Sequence, residues 1–378
     1  YDEQREPVSD LITWQDRRAL RMIPGSNENV LERLQKSVPT DFRQRSGCDL
    51  RAGYGLVTLI ALKLLDQLPE SFAHAADITG HFAHQLTGSE FRIDPTFAAS
   101  WGMYELSSGK LDFGWSDPFE IPSSCFPSLV QTGQMLGQVS ARAGSGWSLP
   151  EGIPVYAGIG DHQAAVHASL VNPETDVMLN LGTGGQVSWI SSELTPADEI
   201  EVRPYLDGQF LRVGAGIVGG ATWAWFVDQI HSWIGSLGLT LSREELLARL
   251  NDQLLQFDDS VSLKCEPLFL GTRANPQRLG SFTQIDRSSF SLGAMGQAVL
   301  AGIIEQLCLA YEQDLHRLPQ LDRVITTGNL FSYYPWLEQI IEQRWQVPVS
   351  SPEFAEQAAV GAARLALRSE QKTDSSSQ

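Results

Sequence analysis

The sequence predicts an α/β fold, and three observations carry that prediction. Short apolar strands alternate with helical stretches through most of the chain. Three of the strands run into glycine-rich turns, at 158–160, 182–185 and 214–220. The chain has 378 residues, 42% of them hydrophobic, which exceeds one compact core, so two domains are expected. The best division falls near 170–175, giving units at 1–171 and 172–368.

In chain order, "LITW" at 11–14 reads as a short strand followed by charge. "GLVTLIALKLLDQLP" at 55–69 is apolar on nearly every helical face and stops at Pro69, the pattern of a buried helix. "ASWGMYELSSGKLDF" reads as loop and hairpin, and "GIPVYAGIG" as a buried strand ending in glycines. "DVMLNLGTGGQVSWISS" is two strands joined by a glycine-rich turn. "GQFLRVGAGIVGGATWAWFVDQI" is strand, glycine turn and helix. "LGAMGQAVLAGIIEQLCLAYEQDLHRLP" is a long amphipathic helix closed by Pro319. "DRVITTGN" is a further buried strand ending in a turn. "AEQAAVGAARLAL" is a helix of small residues, able to lie close to another backbone. The polar tail at 369–378 is expected to be disordered.

Twenty-seven basic residues against 45 acidic ones leave a formal charge of −18. Such a chain repels nucleic acid and anionic membrane, so neither is an expected partner, and attraction of an anionic substrate has to be local. No apolar run approaches the length of a membrane span. Cys48, Cys125, Cys265 and Cys308 stand singly, without metal spacing, and read as buried reduced thiols of a reducing compartment.

Glycines at strand ends let backbone N–H groups approach a phosphate, and ligands of α/β folds gather there. Three such turns, with Asp161 and Thr183 among them, favour a phosphate-handling site. "GAGIVG" at 214–219 matches GxGxxG and makes dinucleotide binding a competitor. The acid due about 20 residues later is missing, because Asp228 comes too early. The GxxxxGK[ST] loop is absent. Asp161, at a strand end where a helix begins, can accept a proton from a hydroxyl attacking phosphorus. It can equally cap the helix, and spacing alone sets the cap slightly ahead. His162 has no second histidine placed to share a metal, and His167 reads as packing. Trp14 is a core residue or a sugar-stacking aromatic.

Taken together these segments resemble the FGGY carbohydrate kinases, in order from about residue 8 to 367. The carriers are "LITWQDRRA", "AGIGDHQAAV", "LNLGTGGQV", "VGGATWAWFVD", "EPLFLGTRANPQRLGSFTQI", "TTGNLFSYYPWLEQII" and "EQAAVGAA". "LITWQD", "FAASWG" and "TTGNL" are most similar to the sedoheptulokinase-like branch.

The resemblance implies two actin-like, ribonuclease-H-like domains with ATP and Mg²⁺ in the cleft between them. It implies a cytoplasmic kinase for a ketose such as sedoheptulose, or for glycerol, ribulose or xylulose, and a homodimer as a candidate assembly. Asp161 matches the family's general base and would reach the metal through water. Trp14, Gln15, Asp16, Tyr54 and His162 fall on the sugar side. Gly182, Thr183, Gly184, Gly219, Gly220, Gly328 and Asn329 fall on the nucleotide side. The family's opening strand and DxGTTS-type phosphate loop have no counterpart, so the chain is expected to be shortened at its N-terminus and impaired without that loop. Phe97 stands where the family has an asparagine.

Overall fold

The computed structural model describes residues 1–255, 260–272, 277–287 and 289–376. Its main sheet has six strands: β1 (Asp176–Leu181), β2 (Gly185–Ser191), β3 (Ile200–Pro204), β4 (Phe210–Ile217), β5 (Arg323–Thr327) and β6 (Val349–Ser350). Their order is β6-β5-β1-β2-β4-β3. β1, β5 and β6 are parallel, while β2, β4 and β3 each run antiparallel to their neighbours. The helices that bear on the site are α1 (Gly55–Leu64), α2 (Pro95–Trp101), α3 (Asp161–Ser169), α4 (Gly220–Ser236), α5 (Leu292–Gln313), α6 (Asn329–Tyr333) and α7 (Gln357–Ser376).

β1 reads DVMLNL with almost no polar alternation because both faces of the sheet are covered. Val177, Leu179, Leu181, Val187 and Trp189 share one core with residues of α4 and α5. Met178, Ile190, Leu211 and Val213 pack on the other face with α3 and α7. The small residues of α7 do let two backbones meet. A Cβ on Gly361 would lie 1.9 Å from the carbonyl oxygen of Ala164 on α3. Arg364 on α7 donates to the Ala168 carbonyl at 2.7 Å.

A separate core holds residues from Ala19 to Phe126, with Leu34, Leu56, Ile60, Ile93 and Met103 at its centre. The N-terminal part joins the sheet at its β3 edge. There the Val202 amide donates to the Gly47 carbonyl at 2.9 Å. Gly47 has φ +81°, and a Cβ on it would lie 2.0 Å from the Val202 oxygen, so the junction requires glycine.

Several expectations are corrected. Residues 11–14 form no strand, because among the described residues no strand pairs with them, and Trp14 is 73% exposed. α1 stops at Leu64, where Gln67 closes on the Leu62 carbonyl around a left-handed Asp66, before Pro69 is reached. The strand expected in "GIPVYAGIG" covers Pro154–Tyr156 and is half-buried. α5 ends at Gln313, not at Pro319, because Asp314 turns its carboxylate into the buried Arg212. α5 is long and apolar enough to cross a membrane by length and composition, contrary to the sequence reading. It is a core helix, with Val299, Leu300, Ile303, Ile304 and Leu307 fully buried. The tail continues α7 as helix to Ser376, since extending a nucleated helix is far easier than starting one; residues 377–378 lie outside the described residues. All four cysteines are free thiols, three of them buried.

Candidate active site

Asp161 sits at the first helical position of α3, exposed, after the glycine turn that follows Pro154–Tyr156. Gly160 takes the cap position, so the cap reading of Asp161 does not hold. Among the described residues its Oδ1 accepts only the amide of its neighbour His162, at 2.7 Å. A first-turn carboxylate is stabilised by the helix dipole without being used up as a cap. The His162 imidazole points inward and its Nε2 meets Ser188 Oγ at 2.8 Å. Burial pulls its pKa down to about 4, Asp161 opposing and Arg203 adding, so the ring is neutral at physiological pH.

Asp161 and His162 line a cleft of 2080 Å³ between the N-terminal core and the sheet. Trp14, Tyr54, Phe97 and Trp101 line its far wall, and Gln186, Glu201 and Arg203 its sheet side. Of the sugar-side residues expected from the resemblance, Trp14, Tyr54 and His162 therefore reach one cleft with Asp161. Gln15 and Asp16 do not line it. Asp16 closes on Arg18 instead, accepting from its amide at 2.8 Å, from Nε at 2.9 Å and from Nη2 at 3.0 Å. Those Arg18 bonds hold the Asp16 carboxyl below its ordinary range. Tyr54 shows its ring to the cleft but not a free hydroxyl. The hydroxyl accepts from Arg203 at 2.8 Å and donates to Cys48 Sγ at 3.4 Å, and burial raises its pKa. Arg203 also donates to Glu201 at 2.7 Å, and Arg51 pairs with the other Glu201 oxygen.

Gln186, Ser188, Glu201 and Arg203 were not singled out from the sequence. The signal is the two-residue period along the strands. Val187 and Trp189 enter one core, while Gln186 and Ser188 face the other way, level with Ala215 and Val213 of β4.

The residues expected on the nucleotide side come together at the carboxyl end of β1. Gly182, Thr183 and Gly184 form the exposed β1–β2 turn. The Gly220 amide donates to the Gly182 carbonyl at 2.9 Å and the Ala221 amide to Thr183 at 2.8 Å, so the start of α4 is bolted to this turn. A Cβ on Gly219 would lie 2.4 Å from the Gly185 nitrogen. Gly219 is buried and the Gly220 amide is committed, so these two shape the turn and leave Thr183 and its flanking glycines as the exposed face. Gly328, at φ +98°, crosses directly over Leu181, whose carbonyl oxygen would be 2.4 Å from an added Cβ, and Asn329 then opens α6. β2 runs from this turn into the cleft, reaching Gln186 and then the Ser188 that holds His162.

"GAGIVG" is not a dinucleotide turn. Gly214 lies mid-strand in β4, between antiparallel β2 and β3, and Gly216 forms a bulge. Among the described residues no three His, Cys, Asp or Glu side chains cluster to hold a metal. Asp161 alone, through water, suits Mg²⁺ that arrives coordinated by phosphates. Of the segment 266–285, residues 273–276 lie outside the described residues.

Residues 1–167 match the FGGY family of carbohydrate kinases, N-terminal domain. Sedoheptulokinases of Mus musculus and Homo sapiens are each 28% identical over 96% of this chain, which spans 74% and 73% of their lengths. The solved xylulose kinase of Rhodospirillum rubrum superposes with a TM-score of 0.74 at 23% identity, over 89% of this chain and 67% of that one. The Plasmodium falciparum glycerol kinase structure with ADP gives 0.72 at 15% identity, over 91% and 69%. These superpositions show the fold: two actin-like, ribonuclease-H-like domains.

Proposed function

We propose, for a chain that belongs to the FGGY family of carbohydrate kinases and so is an ATP-dependent sugar phosphotransferase, that the acceptor is a ketose, sedoheptulose, and that Asp161 is the general base. The observation that carries this reading is the Asp161 carboxylate. It is exposed in the cleft, its partner is its neighbour's amide, and the strand behind it leads to the exposed turn at 182–184. We take residues 1–171 as the sugar-side unit and 172–368 as the nucleotide-side unit. The cytoplasm, which keeps separate thiols reduced, suits the four free cysteines.

In this mechanism the sugar stacks on Trp14, and neutral His162, oriented by Ser188, donates or accepts a hydrogen bond without adding charge. Asp161 takes the proton of the attacking hydroxyl. The hydroxyl oxygen bonds to the γ-phosphorus as the bond to the β,γ-bridging oxygen breaks, releasing ADP. Thr183 and its glycines hold the phosphates by hydroxyl and backbone donors. Mg²⁺, when bound, neutralises phosphate charge.

A coupled ADP-release assay over sedoheptulose, ribulose, xylulose and glycerol tests the substrate, and the highest kcat/KM on another acceptor overturns it. Asp161→Asn should lower kcat by about 10²–10⁴-fold with sugar binding retained. An unchanged kcat removes Asp161 from the role of base.

A further inference from the structure

Behind Asp161 lies a second, buried aspartate. Asp94 is 2% exposed and precedes α2. Its carboxylate accepts the amides of Thr96 at 3.2 Å and Phe97 at 3.0 Å, which is all a helix cap requires. It accepts more than that. The Thr96 hydroxyl lies 2.9 Å from both oxygens, and the Thr132 hydroxyl reaches Oδ2 at 2.6 Å from a different part of the chain. Burial raises the Asp94 pKa to about 6, still below neutral pH, so the group remains an acceptor there. The Thr96 proton is thereby fixed on Asp94, and the Thr96 oxygen is left to accept elsewhere. It accepts the amide of Gly160 at 2.8 Å. Gly160 is the residue directly before Asp161 and the cap of α3.

We propose that Thr96, oriented by Asp94, is a positioning residue for Asp161: it fixes the backbone from which the Asp161 carboxylate enters the cleft. The bond joins two separate elements of the sugar-side unit, since Thr96 belongs to α2 and Gly160 to the turn before α3. Valine at 96 keeps the shape and deletes both hydrogen bonds, while serine keeps both. The inference rests on the reading of Asp161 as the base.

The test measures kcat, KM for sugar and ATP, and melting temperature for the full chain and its Thr96→Val, Thr96→Ser, Thr132→Val, Ser140→Ala and Asp161→Asn variants. Thr96→Val should lower kcat by about tenfold or more with both KM values within about twofold, because misplacement of a reacting group acts on the chemical step. Thr96→Ser should stay within about twofold of the parent. Ser140→Ala removes a cap from the helix Ala141–Trp147, outside the cleft lining, and should leave kcat unchanged. A full kcat for Thr96→Val, an equal loss for Thr96→Ser, or a sugar KM that rises in step with the loss overturns the proposal. If Thr96→Val does not fold, Thr132→Val decides: a several-fold fall in kcat at constant KM supports it, and no fall overturns it. Asp161→Asn separates the two readings. Turnover retained there sinks the base assignment, whereas a dead Asp161→Asn beside a fully active Thr96→Val sinks the positioning role alone.

Discussion

Replacing Gly361 by alanine should destabilise the protein, against the usual rule for a helix interior. α7 lies so close to α3 that the new Cβ would sit 1.9 Å from the Ala164 carbonyl oxygen and 2.6 Å from its carbon. Real Cβ contacts do not fall below 3.0 Å, so the helices must part by about 1 Å. Intrinsic propensity alone favours alanine over glycine by about 1 kcal/mol. Overpacking a filled contact costs about 1–3 kcal/mol, and here the obstacle is backbone, which cannot swing aside. The net expectation is a loss of up to about 2 kcal/mol. It should carry a kinetic signature as well, because α3 bears Asp161: a 1 Å misplacement can cost about 10²-fold in rate. Urea unfolding with a constant m-value reads the first effect, and kcat at saturating ATP and sugar reads the second. A variant more stable than the parent, with unchanged kcat, refutes the account of the α3–α7 contact.

Two further perturbations test the interior. Arg212 and Asp314 are both fully buried and paired at 2.6 Å, with Arg212 also donating to the Thr195 carbonyl at 2.9 Å. Asp314→Ala leaves that guanidinium uncompensated and should cost about 3–5 kcal/mol, whereas Arg212→Met with Asp314→Leu should recover most of it; a cost under about 1 kcal/mol for the single variant contradicts this. For His162, the fold favours the neutral ring, while the unfolded chain takes up a proton below about 6.5. Stability is therefore lost as pH falls from about 6.5 to the folded value of about 4, by about 3 kcal/mol. Relative to His162→Gln, the parent should lose that amount across this window in urea titrations, and a parallel pH dependence rules the buried neutral ring out.

The segments whose structure is local were legible in the sequence. The β1–β2 hairpin, the β4-turn-α4 unit, the turn after β5 and the close-packing helix α7 all form as their residue patterns imply. What was hidden depends on partners far along the chain. α5 looked as though it would run to Pro319, but Asp314 ends it by reaching Arg212, 102 residues away. Tyr54 falls on the sugar side by resemblance, but its hydroxyl is taken by Arg203, 149 residues away. "GAGIVG" satisfies a local pattern, yet its first glycine is mid-strand because β2 and β3 flank it, which no local pattern encodes. For Asp161 spacing alone set the cap slightly ahead, and one residue of offset decides against it: the cap falls on Gly160 and not on the acid.

The charge of the cleft bears on the proposed nucleotide side, where glycine turns and not basic side chains are found. A chain of net charge −18 has to overcome its own repulsion toward a polyphosphate. The cleft does not do so with arginine. Among the described residues its lining carries five arginines, at 17, 18, 43, 51 and 203, against seven carboxylates, at 10, 49, 77, 161, 198, 199 and 201. Several of those arginines are already spent: Arg18 on Asp16, Arg43 on Asp49, and Arg51 and Arg203 on Glu201. A bare polyphosphate would meet a wall of like sign, whereas one whose charge is largely cancelled by a divalent cation would not. Its remaining recognition then has to come from uncharged donors, which is what the Thr183 hydroxyl and the exposed backbone at 182–184 can offer. The acceptor side obeys the same logic. In the proposed mechanism a neutral polyol needs aromatic faces and a neutral imidazole more than it needs charge, together with the carboxylate proposed to take its proton. Trp14, Trp101, His162 and Asp161, which line one cleft, would supply that set, and the paired arginines behind Tyr54 hold the wall in place without adding net attraction.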